Sequence, residues 1–170
     1  MKIKTIAVDL DQTLLHTDKT VSEYTAAVLR ESRARGIRVI AATARPQRDA
    51  VRFCECISFD AMVVSNGARI LCGDRQTEFG ISQTSVVHVL DALLRDPDLR
   101  ITLDTGDCAY SNKPVAEYET VVCEDLITVA KAEGVLKILV HKDREYAEAA
   151  VLDALTEEIG RAHGLNSSHR

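Results

Sequence analysis

Apolar residues along this chain gather in short runs, each closed by a polar or glycine-containing turn, and between the runs they recur with helical spacing. Thr5-Ile6-Ala7-Val8 is the first run and opens into Asp9-Leu10-Asp11, the pattern of a buried strand ending in a loop. Thr20 and Glu23 fit a capping box, with Thr20 as N-cap. Tyr24, Ala27, Val28 and Ala34 then supply an apolar helix face that Gly36 terminates. Val39-Ile40-Ala41-Ala42 reads as a second buried strand, ending at Thr43-Ala44-Arg45-Pro46. Pro46 suits the first turn of a helix running to about residue 56. Ala61-Met62-Val63-Val64 is a third strand. The Asn66-Gly67 pair that follows is a strong hairpin signal before Ala68-Arg69-Ile70-Leu71. Strand, helix, strand, helix, strand implies a parallel sheet with right-handed crossovers.

The rhythm changes after Gly73-Asp74. Val86, Val87, Leu90, Leu93 and Leu94 form a helix-spaced stripe, and Ile101-Thr102-Leu103 is a short strand before the loop Thr105-Gly106-Asp107. Lys137-Ile138-Leu139-Val140 is another strand, and Ala147, Ala150, Val151 and Leu155 suggest one more amphipathic helix. The expected fold is therefore α/β: a Rossmann-like parallel sheet over residues 1–76, with an inserted α+β unit over 77–156. Residues 158–169 lack apolar periodicity and can be spelled by codons that resemble a common sequencing-adapter oligonucleotide carrying one inserted base. The expectation is that 157–170 is a non-native tail, and it is set aside from fold reasoning.

Composition narrows the function classes. The chain has 170 residues, 46% hydrophobic and 28% charged, with no Trp and a formal net charge of −5. That charge argues against a nucleic-acid partner, since phosphate backbones select basic surfaces. It leaves room for a small phosphorylated molecule held beside a metal. No apolar run reaches membrane-spanning length, and the N-terminus shows no signal-peptide pattern. Five cysteines (54, 56, 72, 108, 123) are an odd number without framework spacing, which suits reduced thiols in a cytoplasm. The Cys54-x-Cys56 pair lacks a second pair or a His at ligand spacing, so it reads as small, semi-buried side chains.

The candidate chemistry sits at strand ends. Asp9 and Asp11 close the first strand, and period-two geometry directs both carboxylates to one side if the chain stays extended. Ligands of open parallel sheets bind outside the carboxyl ends of the strands. Two close carboxylates repel each other, and a divalent cation relieves that repulsion. One can then act as nucleophile while the other handles protons. Taken alone, the pair is equally a polar turn. Thr43 is a strand-end residue able to cap the next helix and to bind phosphate at once. Arg45 suits either phosphate binding or fold support, and Asn66-Gly67 suits a structural turn. His16, His88 and His141 fall at no catalytic or ligand spacing and read as ordinary surface or packing residues.

These segments together resemble the haloacid dehalogenase superfamily, and within it the Cof-type phosphatases of subfamily IIB. Asp9-Leu10-Asp11-Gln12-Thr13 is similar to the D-x-D-x-T signature. Ile40-Ala41-Ala42-Thr43-Ala44-Arg45-Pro46 is similar to the strand ending in T-G-R-P, and Ser65-Asn66-Gly67-Ala68 to the N-G-A turn. Gln12 and Ala44 depart from the family, each standing where it has Gly. A side chain there could strain the loop or narrow the pocket. The resemblance implies that Asp9 is the nucleophile and an Mg²⁺ ligand. It implies that Asp11 is the acid/base, with its backbone carbonyl on the metal. It places Thr43, Ala44 and Arg45 on phosphate, and Asn66 and Gly67 on the substrate side. Lys137 resembles the K-I-x-V strand of the family's cap and reads as structural or substrate-side.

The implied activity is Mg²⁺-dependent hydrolysis of a phosphomonoester on a small metabolite, such as a sugar phosphate or cofactor precursor. A phosphomutase using the same Asp pair and a non-enzymatic remnant are the alternatives. A receiver-type signalling domain shares only the strand-end Asp. After the cap, the family supplies a Lys and a G-D-x-x-N-D type motif that no segment here matches. The chain is therefore expected to be a fragment of an incomplete core, with the Asp9 strand as an exposed edge prone to aggregation and the polypeptide unstable or inactive. Oligomeric state and substrate identity are not legible in the sequence.

Overall fold

The computed structural model describes residues 2–53, 57–116 and 119–141. Strands β1 (Thr5–Val8), β2 (Arg38–Ala42) and β3 (Ala61–Val64) lie side by side and parallel, with Val8 opposite Ala41 and Ala42 opposite Val63. Helix α1 (Glu23–Ala34) connects β1 to β2, and α2 (Gln47–Phe53) lies between β2 and β3. The chain then reverses through a 3₁₀ turn at Ser65–Gly67 into β4 (Arg69–Cys72) and β5 (Arg75–Glu78). These complete a five-stranded sheet in sequence order.

A second sheet, ordered β8-β7-β6-β9, contains β6 (Arg100–Asp104), β7 (Ala109–Ser111), β8 (Val121–Val122) and β9 (Lys137–His141). It is accompanied by α3 (Gln83–Leu93) and α4 (Leu126–Ala132). Each sheet has its own core. Leu10, Leu14, Leu15, Leu29, Val39 and Val64 anchor the first, and Val86, Leu90, Ile101, Leu103 and Leu126 the second.

Several local expectations shift. The N-cap of α1 is Ser22, whose hydroxyl accepts from the Thr25 amide at 3.0 Å. Thr20 instead donates its amide and hydroxyl to the Asp18 carboxylate, closing a turn of its own. The buried face of α1 is carried by Ala26 and Leu29, whereas Tyr24 and Val28 are exposed. Among the described residues strand β1 lies at the edge of the sheet with Thr5 and Ala7 exposed, so the run read as buried is covered only in part. Strand β5 has no apolar residue to announce it. A two-residue Gly73-Asp74 turn and the ladder to β4 hold it instead. The helix expected over 147–155, the Cys54/Cys56 pair and the 157–170 tail lie outside the described residues.

Candidate active site

The site begins where β1 stops. The chain turns at Leu10, with Leu14 and Leu15 donating their amides to the Leu10 carbonyl at 3.1 and 2.8 Å. Leu10, Leu14 and Leu15 are all buried. Their side chains fasten the loop to the core by apolar burial, each worth about 2 kcal/mol. Because the extended conformation ends before Asp11, the turn and its partners position the two carboxylates, not strand alternation. Asp9 is exposed, and its Oδ1 accepts from the Leu10 amide at 2.8 Å. Gln12 takes a left-handed backbone, φ +58°. That explains why a glycine suits this position.

Asp11 is tied to the next strand end. Arg45 grips it with two bonds, Nε to Oδ2 at 2.6 Å and Nη2 to Oδ1 at 2.7 Å. Lys19 Nζ adds a third at 2.8 Å. These cations, Arg45 foremost, hold the Asp11 carboxyl well below the usual carboxylate range, against the opposing effect of burial.

Thr43 is buried, and its amide donates to Val63 at 2.9 Å. Its Oγ1 accepts from the Arg45 amide at 3.2 Å. The Thr43 and Arg45 carbonyls accept from Asn66 and Ser65 at 3.3 and 2.8 Å, so the third strand's turn is stitched to the second strand's loop. Asn66 is exposed at φ +59° and Gly67 lies at φ +95°. Ala44 is exposed and is absent from the positive-φ residues, so the Gly-to-Ala departure there strains nothing. Asp9, the Thr43–Arg45 loop and the Ser65–Gly67 turn thus occupy the carboxyl ends of three adjacent parallel strands.

The second sheet reaches this edge through Asp104 and Lys137 and meets Arg48 and Arg69 of the first unit there; Asp104, Arg48 and Arg69 carry no role in the sequence analysis. The buried Asp104 accepts from Arg48 Nη1 at 2.8 Å, the Gly106 amide at 3.0 Å and Ser65 Oγ at 3.3 Å. Arg69, also buried, meets Glu78 at 2.6 Å, Asp107 at 2.9 Å and Gln47 at 3.0 Å, while its Nε finds no partner. Lys137 Nζ lies 3.4 Å from the Ala44 carbonyl, and burial pushes its ammonium pKa down. Asp104 ends a recognisable strand just as Asp9 does, and that parallel was the available signal for it. Lys19 sits in an ordinary polar turn and gave none. His141 pairs with Thr102 at 3.0 Å, away from this site.

An Mg²⁺ ion beside a phosphate is bound through one or two carboxylates, the rest of its shell being phosphate oxygens and water. Asp9 meets that requirement with a carboxylate that, among the described residues, is bonded only to its neighbour's amide, and a backbone carbonyl at Asp11 is a suitable hard donor. No group of three or more His, Cys, Asp or Glu gathers among the described residues. A metal here would depend on substrate oxygens. Among the described residues no helix is long and apolar enough to cross a membrane.

The chain belongs to the haloacid dehalogenase-like hydrolase family, whose model matches residues 6–169, a span that includes the whole adapter-like stretch 158–169. Its fold is shared with a haloalkanoate dehalogenase superfamily phosphatase, BT1666 from Bacteroides thetaiotaomicron, at TM-score 0.72 and 20% identity. That match covers 84% of this chain and 57% of the other. A haloacid dehalogenase-like hydrolase from B. subtilis matches at TM-score 0.60 and 28% identity, covering 68% and 41%. The subclass IIB sugar phosphatase BT4131 matches at 0.59 and 18%, covering 79% and 57%. The chain therefore spans about half the length of these solved relatives. No curated protein matches it.

Proposed function

We propose that this chain carries the nucleophilic half of an Mg²⁺-dependent phosphomonoesterase acting on a small phosphorylated metabolite in the cytoplasm. In this reading residues 1–76 form the core and 77–156 the cap. The observation that supports it most is the juxtaposition of three strand ends: Asp9 on the first, Thr43-Ala44-Arg45 on the second, Ser65–Gly67 on the third.

Asp9 offers an exposed carboxylate oxygen for attack on phosphorus, forming an aspartyl-phosphate as the alcohol leaves. Once Arg45 and Lys19 let it go, the Asp11 carboxylate takes up a proton from water, delivers it to the departing alcohol and later takes one back from the hydrolysing water. Both steps require its carboxylate to exchange the Arg45 and Lys19 bonds for bonds to substrate and water. Thr43 Oγ1 and the Ala44 amide hold phosphate oxygens, with Arg45 available to the same anion once released from Asp11. Asn66 and Gly67 border the substrate. Bound to Asp9 and the Asp11 carbonyl, Mg²⁺ would supply charge neutralisation for the transferring group.

The test uses beryllium fluoride, which mimics an acyl phosphate on a carboxylate. The 170-residue protein with Mg²⁺ should give a bound ¹⁹F resonance that disappears in Asp9→Asn. A signal that persists in the variant rejects Asp9 as nucleophile, and no signal in either protein rejects a competent site.

A further inference from the structure

The end of the first sheet opposite Asp9 holds a cavity of about 450 Å³, lined by Arg30, Arg33, Ala34, Gly36, Ile37, Arg38 and Asp60. It lies at the amino end of β2, whereas the candidate active site lies at the carboxyl ends of the strands. The length of β2 separates them, about 16 Å at the usual rise per residue. We infer that this cavity binds a small polyanion, a metabolite bearing two or more phosphate or carboxylate groups.

Three guanidinium groups share this cavity with one carboxylate. That carboxylate is already committed: Asp60 accepts from Arg33 Nε at 3.1 Å, Arg33 Nη2 at 2.9 Å and the Val39 amide at 2.8 Å. Arg33 is thereby locked in place, with its remaining Nη1 hydrogens unspent. Among the described residues the side chains of Arg30 and Arg38 make no hydrogen bond, and Arg38 touches the cavity's acid only through space, its charge acting on the Asp60 carboxylate that Arg33 holds. The neighbouring acid, Glu31, is occupied by Arg35 at 2.8 Å. Lys4 lies beside Arg38 on the adjoining strand end, its carbonyl accepting the Arg38 amide, and it adds another exposed cation.

Cations near a helix C-terminus can merely offset the helix dipole, and that accounts for Arg33 in the last turn of α1. It does not account for Arg38, which stands on a strand. The closing carbonyls of α1 are moreover already capped by the amides of Arg35, Gly36 and Ile37. Like charges held around one hollow repel each other, and a multivalent anion removes that repulsion while gaining charge-assisted bonds. The hollow is the size of a small-molecule site. The chain's net charge of −5 disfavours the longer nucleic-acid anion.

The full 170-residue chain is titrated by calorimetry with tripolyphosphate and, separately, with citrate, at about 150 mM salt so that loose screening contacts are suppressed. Binding in the micromolar range is expected, weakened at least tenfold in the Arg30→Ala/Arg38→Ala double variant and unchanged in Asp9→Asn. Both substituted side chains are exposed, and circular dichroism of the double variant checks that the fold is kept. The inference is overturned by absence of binding, by equal binding to the double variant, or by loss confined to Asp9→Asn, which would move the anion to the strand-end site. Tighter binding of a single-stranded oligonucleotide than of tripolyphosphate also overturns it.

Discussion

Gly106 and Arg69 compete for one space: a Cβ on Gly106 would overlap the Arg69 guanidinium, which the missing side chain lets through to Asp107. Gly106 also lies at φ +91°, a conformation that L side chains resist. Gly106→Ala should therefore destabilise the protein by about 3 kcal/mol, combining overpacking with backbone strain. A lowered urea midpoint at unchanged slope checks this, and an unaltered midpoint refutes the close approach.

Asp104 gathers donors from both sheets' units. Asp104→Ala leaves the Gly106 amide without its acceptor and the Arg48 guanidinium with only the longer bond to the Gly106 carbonyl at 3.3 Å. The cost should be about 2 kcal/mol, moderated because Arg48 keeps some contact with water. Asp104→Asn retains an acceptor oxygen and should cost less. Equal stability of all three proteins in denaturant titrations would contradict the arrangement.

Gln12 offers the opposite opportunity. Its φ of +58° strains a side chain that is exposed and makes no use of its position. Gln12→Gly should raise stability by about 1 kcal/mol, the relief of left-handed strain outweighing the added freedom of the unfolded chain. Chemical denaturation reads the change directly.

Asp60 makes stability depend on acid. Its hydrogen bonds from Arg33, then from the Val39 amide, hold its carboxyl below the usual carboxylate range. A depressed folded-state pKa means that its contribution is complete above the unfolded value near 4, and fades as pH falls through the lower folded one. Asp60→Asn should lower stability at neutral pH, where the contribution is complete, and converge with the parent as pH falls below about 4, so that the acid limb becomes shallower. Identical acid limbs for the two proteins would dismiss the Arg33–Asp60 contribution.

Much of the first sheet was legible because its strands are continuous apolar runs and its punctuation is strong: Gly36, Pro46 and Asn66-Gly67 each mark a real boundary. The end of α1 was read correctly and its start was not. Two hydroxyl residues, Thr20 and Ser22, both fit a cap, and an Asp18 turn claims the first. The buried face of α1 differs from the expected one because Tyr24 and Val28 look like core residues, yet Ala26 and Leu29 are the ones buried. Strands β5, β7 and β8 are polar or very short and depend on pairing partners distant in sequence or on turn geometry. The candidate site was readable at Asp9, Asp11 and Thr43, where polar residues interrupt apolar strands. Arg45's grip on Asp11 was not, since nothing local links residues so far apart in the chain.

The pairing of β6 with β9 carries a kinetic consequence. Asp104 meets Lys137 across that ladder, while β7 follows β6 almost at once. The β6–β7 hairpin can form as soon as it leaves the ribosome, but the other rim of β6 must wait for the chain to return. Joining distant segments is an entropic search whose cost rises only slowly with loop length. Substitutions that weaken β9 are therefore expected to quicken unfolding more than they slow refolding.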